Sequence, residues 1–148
     1  MDSVEKDLVN IVLDFDAPAE LVWNAWTEPA WVSRWFGSDP NGKVNAAEMD
    51  LRPGGRFEVN FENGDGSQHT CRGVYKEVVP FRHLAFTWEW KSEPGIVSFV
   101  RIELSPSGQG TRMNFEHAHA GTKSEHQYLE GWKSSFAKLQ KTLTRHRK

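Results

Sequence analysis

Three histidines in the last third of the chain offer the first candidate chemistry. His117 and His119 stand two apart on a run that alternates like a strand, so they share one side, and His126 follows where a helical run begins. Three imidazoles can hold zinc. Beside these, however, no thiol or carboxylate stands at a standard ligand spacing, and Cys71 is distant in sequence. His119 and His126 therefore read as loop histidines, and neither a metal nor a cofactor is expected. His117 shares its side with Met113 and Phe115, which leaves two readings: a polar anchor inside a cavity, or a strand-end histidine at its rim.

Nucleophilic catalysis finds less support. Ser124 fits a helix cap, Ser134 and Ser135 lie along a helix, and the chain has neither a G-x-S-x-G elbow nor an H-E-x-x-H pair. Cys71 has no flanking sign of an activated thiol and reads as a small buried residue. Glu48, Glu58, Glu77 and Glu103 could pair as acid and base, but Glu58 and Glu103 fall on wet faces of their strands. Arg52-Pro53-Gly54-Gly55-Arg56 lacks the lysine and the strand-to-helix setting of a phosphate loop and reads as a hairpin turn. The basic tail, Arg145 to Lys148, is short enough to be a solvated helix end.

The abundant side chain is tryptophan, with seven in 148 residues. Singly, each reads as core, because aromatics bury large areas. Collectively they suit the wall of a ligand pocket, which is lined mostly by apolar and aromatic groups.

The totals bound the rest. The length fits one domain, residues 1–148, with one core. A net charge of -2 provides no basic field for nucleic acid or anionic lipid. No apolar run is long enough to span a membrane. A single cysteine excludes an internal disulfide and suggests a reducing, cytoplasmic setting.

The elements that position these residues begin with the last. Leu129, Trp132, Phe136, Leu139 and Leu143 alternate steps of three and four, predicting one stripe of a helix over 124–145. Ser124 with Gln127, or Thr122 with Glu125, supplies a capping box. Earlier, Leu8–Phe15 alternates as a strand. Asp16 can then cap a short helix that has Pro18 in its first turn and ends by Thr27, ahead of Pro29. A second short helix runs from Pro29 toward Gly37. From Lys43 onward come six strands joined by tight turns, among them a type II turn at Arg52–Gly55 and a hairpin at Asn63–Gly66. Gly73 marks a bulge or bend in the long strand 67–79. Pro106 to Gly110 closes a further turn. Consecutive hairpins give an antiparallel sheet with one wet face, leaving the long helix to cover the other. The sheet closes on the helix near its middle and leaves space toward one end, where the short helices form a wall. The result is an α+β domain with an internal pocket.

Several stretches then carry a resemblance. Phe15–Trp23, Ala25–Pro29 and Trp35-Phe36-Gly37 resemble the opening of Activator of Hsp90 ATPase homologue 1-like (AHSA1-like) domains. Met49–Phe57, Gly110-Thr111-Arg112 and Gly131-Trp132 resemble their later signatures. The resemblance covers nearly the whole chain. It implies the START-like (SRPBCC, Bet v 1-like) helix-grip fold: a curved antiparallel sheet of about seven strands around a long C-terminal helix, in β-α-α-β6-α order. That superfamily includes hydrophobic-ligand carriers, aromatases and cyclases, hormone receptors and a co-chaperone domain. In the co-chaperone a separate N-terminal module precedes this domain. The domain here starts almost at Met1, so an Hsp90-type partner is not expected.

The expected function is non-enzymatic binding of an apolar small molecule between the C-terminal helix and the sheet. The expected lining is Trp35, Met49, Phe57, Val59, Phe86, Trp88, Val100, Met113, Phe115, Trp132 and Phe136, with His117 as the polar contact. The alternatives are a cyclase- or hydrolase-type enzyme in the same cavity, or a stress-linked protein that regulates a chaperone. A homodimer is compatible with the sequence but not required by it.

Overall fold

The alternating runs become the strands of one antiparallel sheet. The computed structural model describes residues 2–5, 8–118 and 128–145. Along the chain these are β1 (Asp2–Glu5), β2 (Leu8–Phe15), α1 (Ala19–Thr27), α2 (Pro29–Val32), β3 (Lys43–Met49), β4 (Arg56–Glu62), β5 (Gln68–Val79), β6 (His83–Trp90), β7 (Val97–Ser107), β8 (Gly110–Ala118) and α3 (Tyr128–Arg145). The spatial order is β1-β2-β8-β7-β6-β5-β4-β3. The seven expected strands are all present. The eighth, β1, pairs with β2 through Val4 and Val9 at the edge, and its polar tetrapeptide has no alternation to announce it.

Period-2 burial is cleanest where the sheet faces the helix. Leu84, Phe86, Trp88 and Trp90 of β6 point inward, as do Ser98, Val100, Ile102 and Leu104 of β7. Met113, Phe115 and His117 of β8 are fully buried. The outer face carries cross-strand ion pairs such as Asp14–Arg112 and Arg72–Glu89. These exposed pairs contribute little stability. Burial of Trp132, Phe136, Leu139 and Leu143 holds α3 to the sheet, at roughly 1.5–3 kcal/mol per large apolar side chain.

Two turns follow the chemistry of their residues. At Arg52–Gly55 the Gly55 N–H donates to the Arg52 carbonyl at 2.8 Å, and Gly54 has φ +86°, the conformation that type II requires at its third position. At the β4–β5 hairpin the Gly66 N–H donates to the Asn63 carbonyl, and Gly66 has φ +89°.

Four local readings are corrected. Asp16 is not the cap of α1. Pro18 takes the N-cap position in extended geometry, without a side-chain cap bond, and its carbonyl accepts the N–H groups of Leu21 and Val22. Helix α2 stops at Val32, so Trp35 follows it on a turn. Strand β7 runs through Pro106 to Ser107, because Pro106 pairs in register with Thr111 of β8. The β5 irregularity lies between Tyr75 and Glu77 rather than at Gly73. Gly73 answers a different need: a Cβ there would lie 1.9 Å from the Thr87 carbonyl oxygen and 2.6 Å from Phe57 Cε2. The capping box at 122–127 lies outside the described residues.

The chain must travel from β2, near one edge, to β3 at the other, and α1 and α2 lie on that connection. This crossing brings the Trp23–Phe36 segment to the inner face of the sheet, where it meets α3.

Candidate functional site

The centre of the expected cavity is filled. Trp26, on the buried side of α1, inserts its indole between sheet and helix. Its ring centroid lies 6.0 Å from Phe115, 5.9 Å from both Trp132 and Phe136, and 4.9 Å from Trp35. Trp132 packs on Phe115 at 4.7 Å and on Trp88 at 5.2 Å. What remains open there is a void of about 20 Å³ among Trp35, Met49, Phe57, Val59, Phe86 and their neighbours. Val100, Met113, Phe115 and Phe136 are packed core.

His117 is buried beside this cluster with both ring nitrogens engaged. Trp132 Nε1–H donates to His117 Nδ1 at 2.9 Å, and Nε2 lies 2.7 Å from Ser98 Oγ. Indole can only donate, so Nδ1 is the acceptor and the ring proton sits on Nε2, facing Ser98. Ser98 Oγ in turn lies 3.4 Å from the Trp88 carbonyl. The chain Trp132–His117–Ser98–Trp88 ties α3 to three strands. His117 is thus neither a rim histidine nor an open anchor for a guest. It orients Trp132.

Open space begins on the other side of Trp132. A cleft of about 430 Å³ lies between α3 and the β4–β6 end of the sheet. Its aromatic walls are Phe36, which follows α2, Phe61 of β4, Trp88 and Trp90 of β6, and Trp132 of α3. The rings meet steeply: Trp88 and Trp90 at 5.4 Å and 89°, Phe36 and Phe61 at 5.5 Å and 74°. Asn63 and His69 close the hairpin side, with the Asn63 amide nitrogen 3.3 Å from His69 Nε2. Glu130, Gly131, Ser134 and Ser135 line the helix side. Hollows of about 620 and 710 Å³ on other parts of the surface are lined largely by charged side chains and lack these aromatic walls.

The wall formed by the 37–42 turn is braced from both sides. Ser134 Oγ donates to the Ser38 carbonyl, and Lys138 Nζ donates to the Asp39 carbonyl at 3.0 Å. The Asp39 carboxylate accepts the Gly64 N–H at 2.8 Å and the Asn41 N–H at 2.9 Å, which hold its carboxyl below the usual range. Burial pushes the Lys138 ammonium the other way, below the ordinary lysine range. One loop thereby joins α3 to the β4–β5 hairpin.

Of the twelve residues expected to line the site, Trp88 and Trp132 reach this cleft. Phe36, Phe61, Asn63, His69, Trp90, Glu130, Gly131, Ser134 and Ser135 were not anticipated. The signal for Phe61 and Trp90 was present, since each shares the parity of the inward residues on its strand. Among the described residues no close backbone approach holds Gly131, because a Cβ there meets only Ser38 Cβ, at 3.8 Å. His119 and His126 lie outside the described residues, and among the described residues no cluster suited to a metal is present. Burial pushes the Cys71 thiol well above its ordinary value, as expected of an inert core cysteine. Among the described residues no helix is long and apolar enough to cross a membrane.

Solved structures with the same architecture include a protein from Nitrosomonas europaea, 25% identical, covering 97% of this chain and 98% of its own, with a TM-score of 0.81. A protein from Mycobacterium smegmatis is 18% identical at TM-score 0.82, covering 97% of this chain and 95% of its own. The AHSA1 protein from Silicibacter pomeroyi is 23% identical at TM-score 0.78, covering 94% of this chain and 99% of its own. These last two likenesses establish the fold alone. A comparison with curated proteins returns no match. The family model described as Activator of Hsp90 ATPase homolog 1-like protein matches residues 16–144. With its helix-grip architecture and a match over that span, the chain belongs to the Activator of Hsp90 ATPase homolog 1-like family, within the START-like superfamily.

Proposed function

We propose that this chain is a binding module that takes a small aromatic or apolar molecule in the end cleft between α3 and the β4–β6 strands. The observation that carries this reading is a volume of about 430 Å³ walled by five aromatic rings, within the size range of small-molecule pockets. Each guest ring would remove apolar area from water, at roughly 25 cal/mol per Å². The family's fold is typically a ligand-binding one, which agrees with this use.

The polar groups favour binding over nucleophilic chemistry. Two of the three serine hydroxyls in the cleft direct their protons to backbone carbonyls, Ser134 to Ser38 and Ser135 to Gly131 at 3.0 Å. Neither is poised against a base. The test is titration with neutral aromatic compounds such as indole and 2-naphthol, followed by tryptophan emission. Saturable change at micromolar to millimolar concentration, weakened more than tenfold when Gly131→Leu intrudes on the cleft, is the expected result. No response to any compound at millimolar concentration would end the proposal.

A further inference from the structure

The cleft is aromatic on its walls and lopsided in its polar groups. Among the described residues its lining includes one carboxylate, Glu130, and no lysine or arginine. The nearest buried ammonium in the helix, Lys138, is turned to the Asp39 carbonyl across the loop. The donors that the cleft's side chains do have are largely engaged. Two of the three serine hydroxyls, those of Ser134 and Ser135, donate to backbone oxygens, and the Asn63 amide lies against the His69 ring. What the polar side offers a guest is chiefly an anion and oxygen lone pairs. A guest carrying a carboxylate or phosphate would find no countercharge there and would meet Glu130. A guest carrying donors and positive charge would be matched on both sides, because the faces of tryptophan and phenylalanine rings attract cations.

The ring geometry supports the same class. The Trp88–Trp90 and Phe36–Phe61 pairs each meet at steep angles, so the walls do not form a parallel-sided slot. Stacked walls suit a flat neutral guest, whereas rings set at steep angles suit a rounded cationic group. Resting on the cleft being the binding site proposed above, we infer that its ligand is an organic cation with an apolar or aromatic body, such as a quaternary ammonium or a protonated aromatic amine. Its charged end lies among the rings with the Glu130 carboxylate beside it.

The experiment uses three probes of nearly one shape: benzyltrimethylammonium, its neutral isostere neopentylbenzene, and the anion 3-phenylpropionate. Each is titrated into the full chain while the indole N–H resonances are followed by NMR. The expected order is cation, then neutral, then anion, with the cation bound about tenfold tighter than the isostere. Glu130→Gln should weaken the cation about threefold to fivefold, leave the neutral probe unchanged, and abolish most of the salt dependence. Glu130 is exposed, so the variant should fold, and an unchanged thermal midpoint checks that it does. Neutral and cationic probes bound within twofold of each other would overturn the cation assignment while leaving the cleft as a binding site. A cation preference unchanged in Glu130→Gln would overturn the part given to the carboxylate. If none of the three binds, the cleft reading itself falls and takes this inference with it.

Discussion

Gly131 is where stability and binding should separate, and the structure fixes the sign of each. The residue lies in the first described turn of α3, with helical backbone and no positive φ. Among the described residues an added Cβ would meet only Ser38 Cβ at 3.8 Å, ordinary van der Waals distance. Replacing glycine by alanine in a helix interior is worth about 0.8–1.0 kcal/mol, less near an end, and the new contact adds about 0.1–0.2 kcal/mol. Gly131→Ala should therefore stabilise the fold by about 0.5–1 kcal/mol, a rise in midpoint of roughly 1–4 °C for a chain of this size. It should leave probe affinity within twofold. Gly131→Leu has a similar helix propensity but extends its branch into the cleft, so it should keep near-parental stability and weaken aromatic probes more than tenfold. Thermal unfolding followed at the helix band, together with the emission titration, reads both quantities. A destabilised Gly131→Ala would show that the backbone at this point is held against something the geometry does not contain. Undiminished binding by Gly131→Leu would show that the guest sits elsewhere.

Other consequences follow from the packed half of the molecule. Trp132→Phe leaves His117 Nδ1 buried without its donor, which should cost about 2–4 kcal/mol; in a double-mutant cycle with His117→Leu the coupling should be about 1–2 kcal/mol, and a value near zero would contradict the indole–imidazole bond. Gly73→Ala should destabilise by about 3 kcal/mol or more, because its Cβ meets backbone oxygen at 1.9 Å; a neutral outcome in urea unfolding would refute the close approach. Burial raises both the Cys71 thiol and the Tyr75 hydroxyl, so the native state keeps protons that the unfolded chain releases. Their contribution is fully present below about pH 8.5 and is lost as pH rises above it; urea midpoints at pH 7 and 9.5 should show the fall, with Cys71→Ala reducing it.

How far the sequence disclosed this molecule depends on which signal each part rests on. The inward parity of Met113, Phe115 and His117 needs only local alternation, and it is found as read. The α3 stripe from Trp132 to Leu143 needs only helical spacing, and it too is found. The AHSA1-like membership rests on motifs along the chain and is matched over residues 16–144. The filled centre was not legible, because the depth to which Trp26 inserts depends on how α1 crosses the sheet. Distances between elements are tertiary quantities. The same limit applies to the cleft: Phe36, the Asn63–His69 hairpin and Glu130 come from three separate segments, and no spacing in the chain relates them. His117 was legible as inward-facing but not as the acceptor of an indole fifteen residues away. Asp16 looked like a cap because its side chain suits one, yet Pro18 already had the extended geometry that the position needs.

The central claim is that open volume lies on one side of Trp132 and solid packing on the other, so five of the seven tryptophans divide into two sets. Indole N–H resonances assigned by single Trp→Phe variants, followed during titration with a small aromatic probe, test this directly. Trp88, Trp90 and Trp132 should shift together and saturate at one affinity, while Trp26 and Trp35 stay in place. Saturable shifts at Trp26 and Trp35 with Trp90 unmoved would put the guest in the centre and contradict the account.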